Sequence, residues 1–339
     1  MTAGRAKRAA RSAKPDARSA RLAAARGADG DGGSLFDLGC IADLCVDLVM
    51  RGDEKPRYGQ EEQLFAGYAL ELGGSGTIVC AQFAKLGGRV RLVGAVGDDD
   101  LGAVVRRRLA EENLPDADIA VRPDLPTGLG VALARSDGDR AILTVSGALD
   151  GTEPSRLTPA LAASCRHWHV AAFYLLGALR PAWHGFLGAA RRAGATVSID
   201  PNWAAGGDWN AIRALLPLVD VFMPNEREAL AISGEHEVNA AGRALSRQGP
   251  LVVVKRGARG SVLFADGRRV AEREGTPPDG KVADAIGAGD NFDAGFLRAW
   301  LDGADPASCL ALGDRCARAS LLRAGGIRGQ LLETMHATG

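Results

Sequence analysis

The chain has no excess of either charge. Its 41 Lys and Arg balance 41 Asp and Glu over 339 residues, so no net field steers it toward nucleic acid or an anionic membrane. It also has no long apolar run. The longest mostly apolar stretch, 170–179, is about half of the roughly 20 residues that a spanning helix needs. No CxxC pair occurs among Cys40, Cys45, Cys80, Cys165, Cys309 and Cys316, and most of them sit in apolar runs where a thiol behaves as a small hydrophobe, which predicts a cytoplasmic protein. GxxxxGK[ST] is absent and no GxGxxG follows a predicted strand, which argues against a P-loop phosphate site and a nicotinamide-binding Rossmann site. Aromatic residues make up only 5% of the chain, too few for the sequence to locate a pocket that stacks on a base.

What is present is ample apolar content, 46%, enough for a sizeable core. It is unevenly spread. Residues 1–33 carry Arg5, Lys7, Arg8, Arg11, Lys14, Arg18, Arg21 and Arg26 against Asp16, Asp29 and Asp31, with almost no large apolar side chain. Such a segment cannot fold alone and is expected to be a disordered basic extension; its composition resembles a transit peptide, with a solvated tail the simpler reading.

From Ser34 to about residue 335, short β-branched runs alternate with helical stretches. This predicts one α/β domain, with a mainly parallel central sheet and helices on both faces. Expected strands are Leu35–Ile41, Val90–Val96, His167–Phe173, Thr196–Ile199, Val219–Met223 and Leu251–Lys255; expected helices include Gly76–Leu86 and Leu101–Leu109. Two regions break the alternation, 48–72 and 128–145, the second with an Asp137-Gly138 turn signal. They read as antiparallel strands standing off the main sheet as a small lid. His167 and His169 form an HxH pair, but no Cys, His or Glu at ligand spacing accompanies them, so a structural role on a buried strand is preferred to a metal site.

Chemistry concentrates in Asp284-Ala285-Ile286-Gly287-Ala288-Gly289-Asp290-Asn291-Phe292-Asp293-Ala294-Gly295-Phe296. Phe292, Phe296, Leu297, Trp300 and Leu301 fall at helical spacing, so a helix begins near Gly289 behind a turn of small residues. Such a turn aims unpaired backbone N–H groups at one point and makes an anion site of Gly287, Ala288, Gly289 and Asp290. Asp290 beside it either caps the helix or acts as a general base. The helix N-terminus is expected to lower its pKa.

This stretch resembles the C-terminal signature of the ribokinase-like, or PfkB, family of carbohydrate and nucleoside kinases, DTxGAGD followed by a helix, and the likeness extends from about Asp37 to Gly329. It implies ATP-dependent phosphorylation of a hydroxyl on a sugar or sugar-like molecule, with Asp290 as base and Gly287 to Asp290 as the anion hole. Asp47 resembles the first-strand aspartate that grips sugar hydroxyls, and Gly73-Gly74-Ser75-Gly76 the N-terminal glycine signature. Asn225 and Glu228 resemble the NxxE element, implying Mg²⁺ held through water, although a first-turn acid would look the same. Lys255, Gly257 and Gly260 are similar to the turn that supports the nucleotide phosphates, although a plain hairpin would look nearly the same. Asp284 matches an aspartate near a monovalent-cation loop, implying K⁺, completed by Arg323–Gly326. Four positions depart from the pattern: Ile78 where an asparagine usually binds the sugar, Cys45, Ala285, and Asp314 on the adenine side. Ile78 would leave a sugar hydroxyl unpaired, favouring a smaller or less hydroxylated acceptor. The expected partners are therefore a sugar and ATP, with no nucleic acid or membrane and a homodimer through the lid. A nucleoside kinase and a non-catalytic sugar- or nucleotide-binding relative are the alternatives.

Overall fold

A computed structural model of the chain describes residues 35–136, 140–204 and 206–332. The basic segment 1–33 and the Asp137-Gly138 turn signal lie outside the described residues. Among the described residues, thirteen strands form two sheets. They are β1 (Phe36–Ile41), β2 (Cys45–Arg51), β3 (Gly67–Gly73), β4 (Val90–Gly97), β5 (Asp118–Arg122), β6 (Gly128–Ala134), β7 (Arg140–Val145), β8 (Cys165–Val170), β9 (Thr196–Ile199), β10 (Val221–Phe222), β11 (Leu251–Lys255), β12 (Ser261–Ala265) and β13 (Arg268–Arg273). The large sheet runs β13-β12-β11-β10-β9-β8-β1-β4-β5 and the small one β3-β2-β6-β7.

In the large sheet, β11/β12 and β12/β13 pair antiparallel, and every other pair is parallel. The helices are α1 (Ser75–Lys85), α2 (Asp100–Glu111), α3 (Pro159–Ala162), α4 (Arg180–Arg192), α5 (Asn210–Leu215), α6 (Glu226–Ser233), α7 (Val238–Ser246), α8 (Ala288–Asp302) and α9 (Pro306–Ser320). Two apolar clusters pack on the large sheet, one around α1, α8 and α9 and the other around α4, α6 and α7. Helix-covered parallel strands are buried on both faces, which is why the central strands read as β-branched runs such as Val252-Val253-Val254.

Two expectations change. The small sheet is not wholly antiparallel: β2/β3 and β6/β7 are, but β2 pairs parallel with β6, because the two hairpins meet side by side through their first strands. The strand expected over His167–Phe173 runs over Cys165–Val170 instead, and the chain leaves the sheet before Ala172, whose φ is 54°. The inner sides of β8 and β9 carry a polar ladder. His167 bonds Thr196 Oγ1 (2.8 Å) and Ser198 Oγ (2.6 Å), and His169 bonds Ser198 Oγ (2.7 Å). Burial holds both imidazoles below their ordinary pKa, His169 at about 4. Both are buried and hydrogen-bonded to the Thr196 and Ser198 hydroxyls, which ties β8 to β9.

Candidate active site

The first turn of α8 lies at the carboxyl edge of the large sheet, where open α/β sheets bind ligands. Gly287 is its N-cap, with φ 70° in the left-handed region, a conformation that favours glycine. The Gly287 carbonyl takes the Asn291 amide at 2.9 Å, while the amides of Gly289 and Asp290 donate to no protein group among the described residues. Asn291 fixes the turn from within: its side-chain nitrogen donates to the carbonyls of Gly287 and Gly326, both at 2.8 Å, and its oxygen accepts from Gln330 at 2.9 Å. Asp284 ties the same two loops together, accepting from Ile286 N (2.7 Å) and Gly325 N (3.1 Å). The result is a stitched backbone cradle whose leading amides are left unpaired.

Asp290 sits in that first turn, half-buried. The expected lowering of its pKa does not occur: it is pushed up to about 7. Burial is the main cause, followed by the negative charge of Asp200; Lys255 pulls the other way, Asp43 adds a smaller upward push, and the Ser75 hydroxyl stabilises the ionised form. Desolvation and neighbouring carboxylates thus outweigh the helix dipole. A carboxylate poised near neutrality is a better proton acceptor than a depressed one.

Lys255, at the end of β11, is buried beneath this turn. Its Nζ lies 2.6 Å from Asp200 Oδ2 and 2.9 and 3.1 Å from the two Asp293 oxygens. Burial opposes ionisation of Asp200, but Lys255 and hydrogen bonds overcome it and hold Asp200 below its ordinary value. Burial instead pushes Asp293 well above the carboxylate range, against the pull of Lys255. The cluster is therefore one ammonium held between two buried carboxyl groups, Asp200 and Asp293.

On the other side of α1, Asp47 points from β2 between two glycines: a Cβ on Gly73 would lie 2.6 Å from its carboxylate, and one on Gly130 2.4 Å. Only glycine at both positions leaves room for that side chain. Burial, then the charge of Asp43, raises Asp47 to about 6, and Cys45 Sγ donates to it at 3.7 Å. Gly74 precedes α1 as its N-cap residue without a side-chain cap of its own; Asp43 supplies the cap, accepting from Ser75 N (3.1 Å) and Gly76 N (3.0 Å).

Ile78 requires a correction. It is 3% exposed, and its methyl groups lie where a Cβ on Gly287 (2.9 Å) or Gly326 (2.4 Å) would fall. It packs under the cradle, so the argument that it leaves an acceptor hydroxyl unpaired does not hold. Asp314, expected on the adenine side, is likewise occupied: its Oδ2 lies 3.1 Å from both Arg273 Nε and Arg318 Nε, joining α9 to β13.

Asn225 and Glu228 form a reciprocal cap at the start of α6, Glu228 N to Asn225 Oδ1 at 3.0 Å and Asn225 N to Glu228 Oε2 at 2.9 Å. Burial, then the charge of Asp200, raises Glu228 to about 7. A buried carboxyl that ionises at such a cost suits a site completed by a dication, which needs only one or two protein oxygens besides phosphate and water when it is Mg²⁺. Gly257 and Gly260 flank the turn between β11 and β12, both with positive φ.

Sequence reasoning missed Asp43, Ser75, Asn291 and Asp293 as partners of the site. Asn291 and Asp293 stood within the signature, but their partners lie 35 and 38 residues away, beyond any local pattern.

The model of the pfkB family carbohydrate kinases matches residues 37–333. The chain is 29% identical over 276 residues to an ATP-dependent ribose-1-phosphate kinase of Halopiger xanaduensis, covering 80% of this chain and 86% of that one. It is 28% identical over 275 residues to a ribokinase of Arabidopsis thaliana, covering 78% and 70%. A solved structure of Arabidopsis thaliana ribokinase complexed with ribose and ATP superposes with a TM-score of 0.75 at 23% identity, covering 89% of this chain and 97% of the other. The chain belongs to the PfkB family of carbohydrate kinases and is an ATP-dependent phosphotransferase.

Proposed function

We propose that the chain transfers the γ-phosphoryl group of ATP to a hydroxyl of a sugar, with Asp290 as general base. The observation that carries this reading is the pairing of unpaired Gly289 and Asp290 amides at the start of α8 with a carboxylate whose pKa is raised to about 7. The acceptor oxygen attacks the γ-phosphorus, the bond to the bridging oxygen breaks, ADP leaves, and the hydroxyl proton passes to Asp290. The amides of Gly289 and Asp290 stabilise charge on the migrating group, whereas Ala288 N, expected among them, donates to the Ala285 carbonyl at 3.5 Å; holding the hydroxyl in line accounts for much of the rate. Asp47, with Gly73 and Gly74, orients the acceptor by taking hydrogen bonds from its hydroxyls. Glu228, supported by Asn225, would hold Mg²⁺ through water, and the bound ion would neutralise phosphate charge. Gly257 and Gly260 border the nucleotide side, and the loops stitched by Asp284 are where K⁺ would act.

The lid supports a further reading, pairing with a second copy. Edge strand β7 exposes Ile142 (58%), Leu143 (60%) and Val145 (53%), an unprotected apolar edge that soluble proteins normally cover.

The test is an ATP-consumption screen over pentoses, hexoses, keto-deoxy sugar acids, sugar phosphates and nucleosides, with wild type and Asp290→Asn. Turnover with a sugar that is lost in the variant, with ADP binding retained, is expected; turnover only with nucleosides would reassign the acceptor, and unchanged turnover in the variant would remove the base.

A further inference from the structure

The mechanism above does not account for a lysine and two aspartates packed together beneath the cradle. Lys255 is 12% exposed, Asp200 8% and Asp293 0%, and the lysine's three protons have three carboxyl oxygens within 3.1 Å. Its position is as telling as its partners. Asp293 is on α8, one turn beyond Asp290; Asp200 directly follows β9; and Nζ comes within 3.5 Å of where a Cβ on Gly289 would lie. The ammonium thus joins two sheet strands to the first turns of the helix that carries the base. Burying a lone cation or a lone carboxylate is costly, so the three groups hold one another in place.

We propose that Lys255 is a positioning residue rather than a phosphate ligand: clamped by Asp200 and Asp293, it fixes the first turn of α8 against the sheet and sets the charge environment in which Asp290 works. This rests on the reading of Asp290 as base and deepens it. The charged and titratable groups around Asp290 are Asp43 from the β1–β2 junction, Asp200 after β9, Lys255 at the end of β11, and Asp293 on its own helix; Glu228 at the start of α6 faces the same cluster. Asp200 and Lys255 are the two largest charge contributions on Asp290 and have opposite signs. Removing one must move Asp290 in the opposite direction from removing the other.

The experiment follows the Asp290 carboxyl by ¹³C NMR in protein labelled at aspartate, its resonance assigned by loss in Asp290→Asn, so that no acceptor is needed. Lys255→Met is expected to raise the Asp290 pKa by roughly one unit and Asp200→Asn to lower it by roughly one. Calorimetry with Mg²⁺ and ADP should give wild-type affinity for Lys255→Met. Should that variant fail to fold, the downward shift in Asp200→Asn carries the test. An unmoved or upward resonance in Asp200→Asn, or a tenfold loss of ADP affinity in a folded Lys255→Met, overturns the proposal. Failure of the base reading would show separately, as turnover that survives Asp290→Asn.

Discussion

Asp43 caps a helix that begins 32 residues later: its two carboxylate oxygens take the amides of Ser75 and Gly76, at 3.1 and 3.0 Å. The carboxylate stands where the chain passes from the large sheet into the lid, and the helix it caps starts with Ser75, whose hydroxyl supports Asp290. Lid entrance, helix start and base are therefore linked through two residues.

Asp43→Ala removes both acceptors and strands two amides, and is expected to cost about 1–3 kcal/mol of stability by urea denaturation at pH 7. Asp43→Asn keeps one acceptor and removes a buried charge whose pKa, raised to about 6 mainly by burial, marks it as disfavoured when ionised. Its cost should be well below that of the alanine variant.

The base must be ionised to accept a proton. With Asp290 at about 7, kcat/KM should rise tenfold per pH unit below about 7 and level off above it, as read from initial rates between pH 5.5 and 8.5. Asp290→Asn should lower kcat by about 10²–10⁴ and abolish that limb.

Stability of the unliganded protein should show the reverse trend. Asp290 and Glu228 have folded pKa values near 7, above their unfolded values, so the folded state binds more protons between the unfolded pKa and about 7. Folding stability must then fall as pH rises through that window. Thermal denaturation should give a lower Tm at pH 8 than at pH 6, and Mg²⁺ with ADP should narrow the gap.

Ile78 is packed under the Gly287 turn, so Ile78→Asn exchanges buried apolar packing for an amide that must be desolvated. A loss of roughly 1–3 kcal/mol is expected, against about 0.5–1.5 for Ile78→Val, measured by chemical denaturation. A gain of sugar affinity in the asparagine variant without loss of stability would contradict the packing role.

If β7 joins two copies, Ile142→Lys together with Leu143→Lys should halve the mass measured by light scattering, because two charges on an edge strand oppose strand addition. Wild type running at a single chain mass would exclude the lid dimer.

The six strands expected for the large sheet, the lid excursions and the helix following Gly287 were all legible in the sequence, because periodicity and turn chemistry act over a few residues. Even the parallel character of the sheet follows from runs such as Leu251–Lys255 alternating with helices. The signature around Asp290 was equally local. What the pattern could not supply were the long-range environments: Lys255 meets carboxylates 55 and 38 residues away, and Ile78 meets Gly326 across the molecule. The ionisation of Asp290 shows the difference most clearly. Its position at a helix start argued for a lowered pKa, yet burial and Asp200, which only the tertiary fold brings near, reverse the sign. Sequence determined which groups are present and which helix carries the base; the packing of distant segments decided their charge, because desolvation and Coulomb energy depend on distance in space.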